Sequence, residues 1–205
     1  MAVELKETID RRREEIMDAC EKLYDIKGFH GITIKDISTE TSFSRPSIYN
    51  YFRTKEEIFL GILTREYAKW NDSMRQLLSE NKLSDKDSLA KSIASSLDER
   101  KVLLKISAQN LYEIEDNSRL ELLKEFKLAF KDSINLFDEC LSTCIENKEK
   151  RNHIRYSFFP YMYGIYPYAY PTEKQVIAMD EVELPHEDMS IYDLTYQFLV
   201  TVLGI

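Results

Sequence analysis

Residues 32–58, ITIKDISTETSFSRPSIYNYFRTKEEI, decide how this chain is read. They break into three short helices, each opened by a hydroxyl residue: Thr33 is placed to cap the first, Ser44 the second and Thr54 the third. Thr54-Lys55-Glu56-Glu57 is a full capping box followed by the apolar Ile58. Ile34 and Ile37 give the first helix one apolar face, and Ile48 and Phe52 do the same for the second. Thr41-Ser42-Phe43-Ser44 between them has the length of a helix-turn-helix turn. The second helix also carries Arg45, Ser47, Tyr49, Asn50 and Tyr51, more hydrogen-bonding groups than two buried apolar residues can occupy. Such a helix faces a partner, and DNA is the partner expected.

Working outward, the composition is compatible with that partner once the charge is divided. The 205 residues carry a formal net charge of −8. Residues 1–55 hold ten basic and ten acidic side chains, so the other 18 basic and 26 acidic ones carry the whole surplus. Within residues 27–55, Lys27, Lys35, Arg45, Arg53 and Lys55 face only Asp36 and Glu40. At a Debye length of about 8 Å in physiological salt, distant acidic groups are largely screened from a DNA contact. A local surplus this small predicts no tight non-specific binding. Five Gly and five Pro argue against disorder and against a turn-rich sandwich. No apolar run reaches the roughly 18 residues of a membrane span, and the start, MAVELKETIDRRREE, lacks the apolar middle of a signal peptide. The expectation is a cytoplasmic protein. Cys20, Cys140 and Cys144 suit that compartment and form no CxxC.

Upstream, Ile16, Ala19, Cys20, Leu23 and Tyr24 predict an amphipathic helix over 11–27, stopped by Gly28. Arg11-Arg12-Arg13 precedes it and can touch phosphates or serve as a solvated helix start tied to Glu14 and Glu15. Downstream, Ile58, Phe59, Ile62, Leu63, Tyr67, Trp70, Met74, Leu77 and Leu78 predict one long helix from Thr54, with a polar loop over 80–88. Two helices follow over 88–116, with a weak break at Leu97-Asp98-Glu99. Arg119 to Lys150 then reads as one uninterrupted core helix of about 45 Å, with Cys140 and Cys144 on one face. Residues 154–171, IRYSFFPYMYGIYPYAYP, alternate as a strand does, but the prolines make a broken helix the better reading. Thr172-Glu173-Lys174-Gln175 caps a short helix, an acidic loop runs from Asp180 to Asp188, and a last helix starts at Ser190. Its Ile191, Leu194, Phe198, Leu199, Val202 and Leu203 cover more than one face, which suits a subunit interface.

These residues resemble the TetR family of bacterial transcriptional regulators. The resemblance runs over residues 14–67 and rests on GFHGITIKDI (28–37) and SRPSIYNYFRTKEEIF (44–59), with YxYFxxKEE its most specific part. YGIYPYAYPTEKQ (163–175) looks like a C-terminal pattern of some members. Ser42 departs from the pattern where members often have Gly in the turn. The resemblance implies an all-α homodimer: an N-terminal three-helix helix-turn-helix DNA-binding domain, here 1–55, and a larger C-terminal helical ligand-binding and dimerisation domain, here 56–205. It implies a ligand-responsive regulator, most often a repressor, that binds a palindromic operator and is released by a small molecule. The long helix from Thr54 would then link ligand site to reading head.

A recognition helix enters the major groove N-terminus first, with dimeric half-sites about 34–36 Å apart. Arg45 can then reach guanine O6 and N7, and Asn50 adenine N6 and N7. Ser47 and Tyr49 can reach phosphates or thymine methyls, and Pro46 sits harmlessly in the first turn. Tyr51 matches a family position that touches the backbone. Lys55 and Thr33, at helix starts, suit phosphate. Trp70, Met74, Tyr112, Phe130, Phe137, Tyr163 and Tyr166 are candidates for the ligand site by type and placement, and would suit a flat, partly polar or cationic compound. Side chains at helical spacing are also ordinary core.

No cofactor or metal is expected, and no enzyme. His30, His153 and His186 are scattered, and neither a nucleophile-base pairing nor a Gly-rich phosphate loop is present. The rival reading is a helical protein-interaction module without DNA binding.

Overall fold

The computed structural model describes residues 2–205, with side chains from Glu7 onward. Among the described residues every regular element is an α-helix. The chain divides into two compact units: the segment through Arg65 together with Asn110–Leu128, and Glu66–Gln109 together with Ala129–Ile205.

The first unit begins with α1 (Ala2–Lys27). Ile16, Met17, Ala19, Cys20, Leu23 and Tyr24 form its buried stripe, and Gly28 ends it at φ +66° with its N–H on the Tyr24 carbonyl, 3.0 Å. Arg11, Arg12 and Arg13 therefore lie inside α1, not before it. Next come α2 (Ile34–Thr39) and α3 (Arg45–Ile48). Ile34, Ile37, Ile48 and Phe52 are buried beneath them, so the apolar faces read from the sequence are the inner faces.

The caps divide. Thr33 and Asp36 form a reciprocal capping box on α2. Ser44 occupies the N-cap of α3, but its hydroxyl makes no cap bond and lies 2.9 Å from the Ser47 hydroxyl instead. α4 (Lys55–Ser79) starts with Thr54 Oγ1 accepting from the Glu57 N–H, 3.2 Å. The return half of that box goes elsewhere, because the Glu57 carboxylate accepts from the Arg53 N–H at 2.6 Å. The turn does not need a glycine at Ser42. Among described non-glycine residues only Asn81 and Glu183 have positive φ, and the Ser42 N–H is held by Glu15 Oε1 at 2.7 Å. Arg65, only 14% exposed, binds Glu14, Asp18 and Glu21 of α1 together, and so fastens α4 to α1. Gly61 faces α1 closely, since a Cβ there would meet Met17 Sδ at 2.7 Å.

Farther along the chain α5 (Lys86–Asp98), which lies in the second unit, opens on a capping box between Asp85 and Ser88, which shortens the expected loop. α6 (Lys101–Asp116) follows after a break at Glu99-Arg100, then α7 (Leu120–Ser142). α7 spans 23 residues, about 35 Å at 1.5 Å per residue, and the long helix expected through Lys150 is divided there. The Ser142 and Thr143 hydroxyls turn back onto the Glu139 and Cys140 carbonyls. Asn147 starts a new helix by accepting from the Lys150 N–H. Cys140 is buried while Cys144, in the connection, is not, so the two do not share one helix.

α8 (Lys148–Met162) tolerates Pro160, and a kink at Gly164 leads into α9 (Ile165–Ala169). Pro167 lies in the first turn of α9, where no N–H is needed. The broken helix is therefore the observed structure of the tyrosine-rich stretch. α10 (Glu173–Glu181) is capped by Thr172 and Gln175 and buries no residue. α11 (Ile191–Leu203), capped by Ser190 and Asp193, packs Ile191, Thr195, Leu199 and Leu203 inward. Its Leu194, Phe198 and Val202 are only half-covered. No helix of the described residues is long and apolar enough to cross a membrane.

Candidate nucleic-acid interface

α3 shows why a four-residue helix can carry a surface. Ile48 and Phe52, both fully buried, hold it down, and Arg45, Pro46, Tyr49 and Asn50 are left exposed on the other side. Ser47 is half-buried beside the exposed Ser44. Arg45 and Tyr49, one helical turn apart, support each other: Arg45 Nη2 donates to Tyr49 Oη at 3.1 Å, and its guanidinium lies over the ring, 5.7 Å from the centroid. Asn50 presents an exposed side-chain amide. The Tyr51 hydroxyl is engaged from α1, accepting from Arg12 Nη1 at 3.0 Å, and Arg12 also lies over Phe43 at 5.8 Å. Arg12, Phe43, Tyr49 and Tyr51 thus extend the polar, aromatic surface beyond α3.

The remaining predicted contacts are arranged differently. Thr33 is exposed, but its hydroxyl is bound to Asp36. The same bonds, after the Lys27 ammonium, hold the Asp36 carboxyl well below its usual range. Lys55 is half-buried, with its ammonium 2.9 Å from the Phe29 carbonyl and 4.4 Å above the Phe29 ring. It therefore ties α4 to the segment after α1.

Behind the surface lies a charged group that the sequence did not single out. Glu57 is 1% exposed, and Arg119 grips it with a fork, Nε to Oε1 at 2.6 Å and Nη2 to Oε2 at 2.9 Å. Burial pushes the Glu57 carboxyl up, but the Arg119 fork and the Arg53 and Arg119 N–H groups outweigh it and hold the pKa below its ordinary value. The capping box was the only sequence signal for Glu57, and nothing local marked Arg119.

The ligand-site candidates fall into three groups. Trp70, Met74 and Phe137 are fully buried. Phe137 stacks on Phe158 at 4.4 Å, Trp70 lies 6.1 Å from Phe159, and Trp70 Nε1 donates to Ser96 Oγ at 3.1 Å. Phe130 and Tyr163 join the same aromatic cluster while staying half-exposed: Phe130 packs on Tyr67 at 5.4 Å, and the Tyr67 and Tyr163 hydroxyls lie 3.2 Å apart. Tyr166 pairs with Tyr170 at 5.0 Å. Tyr112 is 86% exposed and belongs to the first unit, so the structure does not bring it to the others.

Known proteins resemble this chain over both of its parts. The profile for bacterial regulatory proteins of the tetR family matches residues 16–62, and the profile for the tetracyclin repressor-like C-terminal domain matches residues 64–203. The chain is 36% identical over 94 residues to the HTH-type transcriptional regulator YfiR of Bacillus subtilis, across 46% of this chain and 43% of that protein. It is 37% identical over 68 residues to the HTH-type transcriptional repressor NicS of Pseudomonas putida, across 33% of this chain and 32% of that one. The chain thus spans about half the length, or less, of these curated relatives. The crystal structure of the regulator FadR from Bacillus subtilis in complex with stearoyl-CoA superposes at a TM-score of 0.61 with 18% identity, over 94% of this chain and 98% of that one. Thermus thermophilus FadR in complex with lauroyl-CoA does so at 0.58 with 18% identity, over 93% of each. At such identities the structural likeness establishes the fold, and the two profiles establish the kinship. Its helix-turn-helix and its larger helical domain are both matched, and the chain belongs to the TetR family of bacterial regulatory proteins, which are transcription factors and not enzymes.

Proposed function

We propose that this protein is a cytoplasmic, ligand-responsive repressor that binds a palindromic operator as a homodimer and leaves it when a small molecule occupies the C-terminal domain. The observation that carries the reading is α3, with Ile48 and Phe52 fully buried and Arg45, Pro46, Tyr49 and Asn50 exposed. In a major groove these groups supply what base edges require: a guanidinium for guanine, an amide for adenine, and a ring or pyrrolidine edge for a thymine methyl. Ser44, Ser47, Tyr51 and Lys55 surround them as backbone contacts, with Thr33 at the start of α2. A single short helix reads few base pairs, so two copies about 34–36 Å apart are needed for a specific site. The half-covered Leu194, Phe198 and Val202 of α11 support that pairing.

In the C-terminal domain Phe130, Tyr163 and Tyr166 are the effector contacts we propose, with Trp70, Met74 and Phe137 as the packed wall behind them. An effector that prefers the DNA-incompetent state lowers operator affinity, and the coupling is reciprocal. Two experiments test the reading. Footprinting of the DNA upstream of the gene is expected to reveal a protected inverted repeat, and Arg45→Ala is expected to require a higher protein concentration for the same protection. Absence of protection by the parent protein refutes the operator. A thermal-shift panel containing long-chain acyl-CoA and flat aromatic cations then tests the effector site, and a stabilising compound is expected to weaken operator binding.

A further inference from the structure

The corner between α6 and α7 is bound to the reading head by more than packing. Arg119 of that corner holds Glu57 of α4. Its backbone N–H donates to Glu57 Oε1 at 3.2 Å, and its side-chain fork takes both carboxylate oxygens. The same Nη2 also donates to the Tyr51 carbonyl at 3.1 Å. Two residues earlier, the Asn117 carbonyl accepts from Thr54 Oγ1 at 3.2 Å, the hydroxyl that caps α4. The corner is itself fixed, since Asn117 Nδ2 and Ser118 Oγ return to the Glu113 and Ile114 carbonyls of α6.

The geometry points to Arg119 as a positioning residue for DNA binding: we propose that it sets the pose of the segment that follows α3, through Glu57 and the Tyr51 carbonyl. This rests on the DNA-binding reading. Tyr51 is the pivot, because its carbonyl is held by Arg119 while its hydroxyl is held by Arg12. A guanidinium fork on a planar carboxylate fixes direction as well as distance, which a lysine ammonium does not. Arg119 meets the head through Glu57 and a main-chain carbonyl, so its loss should leave the number of phosphate contacts unchanged.

The test uses a DNA duplex selected from a random pool by the parent protein, with binding measured from 50 to 200 mM salt. Removing one partner strands a buried charge, so Glu57→Gln/Arg119→Gln is studied beside Arg119→Lys, with folding verified by circular dichroism. The expected result is an affinity loss of about 2- to 30-fold with an unchanged salt slope. Backbone amides 49–53 of the free protein should exchange faster, while those of α2 do not. A direct phosphate contact would instead lower the slope by about 0.9 and overturn the positioning role. So would parental affinity, or parental exchange at 49–53. A parent protein that enriches no sequence overturns the DNA reading and this inference with it. Enrichment by the parent, lost in Arg45→Ala but retained at parental affinity in the Arg119 variants, overturns this inference alone.

Discussion

Arg45 and Tyr49 are exposed yet ordered, because each is the other's partner across one helical turn. Such an arrangement reduces the entropy lost when the guanidinium engages a base. Arg45→Ala is expected to cost about 1–3 kcal/mol of specific affinity and to relax discrimination at one base pair, measured by anisotropy titration against single-base operator variants. Asn50→Ala should do the same at a different position. At the other end of the burial scale, Trp70 is wholly enclosed and hydrogen-bonded to Ser96, and Trp70→Ala should destabilise the fold by about 3–5 kcal/mol in urea unfolding. The cysteines give a simpler check. Burial pushes the Cys140 thiol up to about 12 and raises that of Cys20 as well. A thiol reagent near neutral pH should therefore modify Cys144 in the native protein and reach the other two only on unfolding.

Helix starts were the most legible feature of the sequence at the scale of the element. Thr33 with Asp36, Thr172 with Gln175 and Ser190 with Asp193 all close reciprocal boxes, because a cap needs only residues three apart. Ser44 has a serine, Ser47, at the third position instead, and its hydroxyl is held there. Thr33→Ala and Thr54→Ala are accordingly expected to cost about 1 kcal/mol each, and Ser44→Ala under about 0.5 kcal/mol, by chemical denaturation. The division of the expected helix 119–150 was hidden for a related reason. Apolar periodicity continues through it, while the hydroxyls of Ser142 and Thr143 and the amide of Asn147 compete for the backbone. Glu57 adds a pH signature to α4. Its folded pKa lies below the ordinary 4.5, so its stabilisation is complete above that value and is lost as the pH falls through the lower folded value. The melting-temperature advantage of the parent over Glu57→Gln/Arg119→Gln should therefore hold at pH 7 and shrink below about pH 4.5.

For the whole molecule, the net charge of −8 and the helix-turn-helix stand together because the acidic surplus lies beyond residue 55. Operator binding should thus depend strongly on salt while non-specific binding stays weak. The outer side of α11 carries the assembly prediction. Leu194→Glu/Val202→Glu leaves the fully buried Ile191, Leu199 and Leu203 untouched. It is expected to convert a dimer to a monomer in light scattering and to lose operator binding. A parent protein that is already monomeric at micromolar concentration would refute the dimer.

By itself the sequence determined the helical class, the turn, the Thr33, Thr172 and Ser190 caps and the outward set of Arg45, Tyr49 and Asn50. All of these follow from spacings of three and four residues, which fix a helix face without reference to the rest of the chain. Only the tertiary structure decided what lies behind that face. Arg119 reaches Glu57 across 62 residues of sequence, Arg12 reaches Tyr51 across 39, and Lys55 turns to the Phe29 carbonyl across 26. It also separated the enclosed Trp70, Met74 and Phe137 from the half-exposed Phe130, Tyr163 and Tyr166. Periodicity marks Trp70, Met74, Phe130 and Phe137 as apolar faces, but burial depends on which helix packs against each face, and no local spacing encodes that.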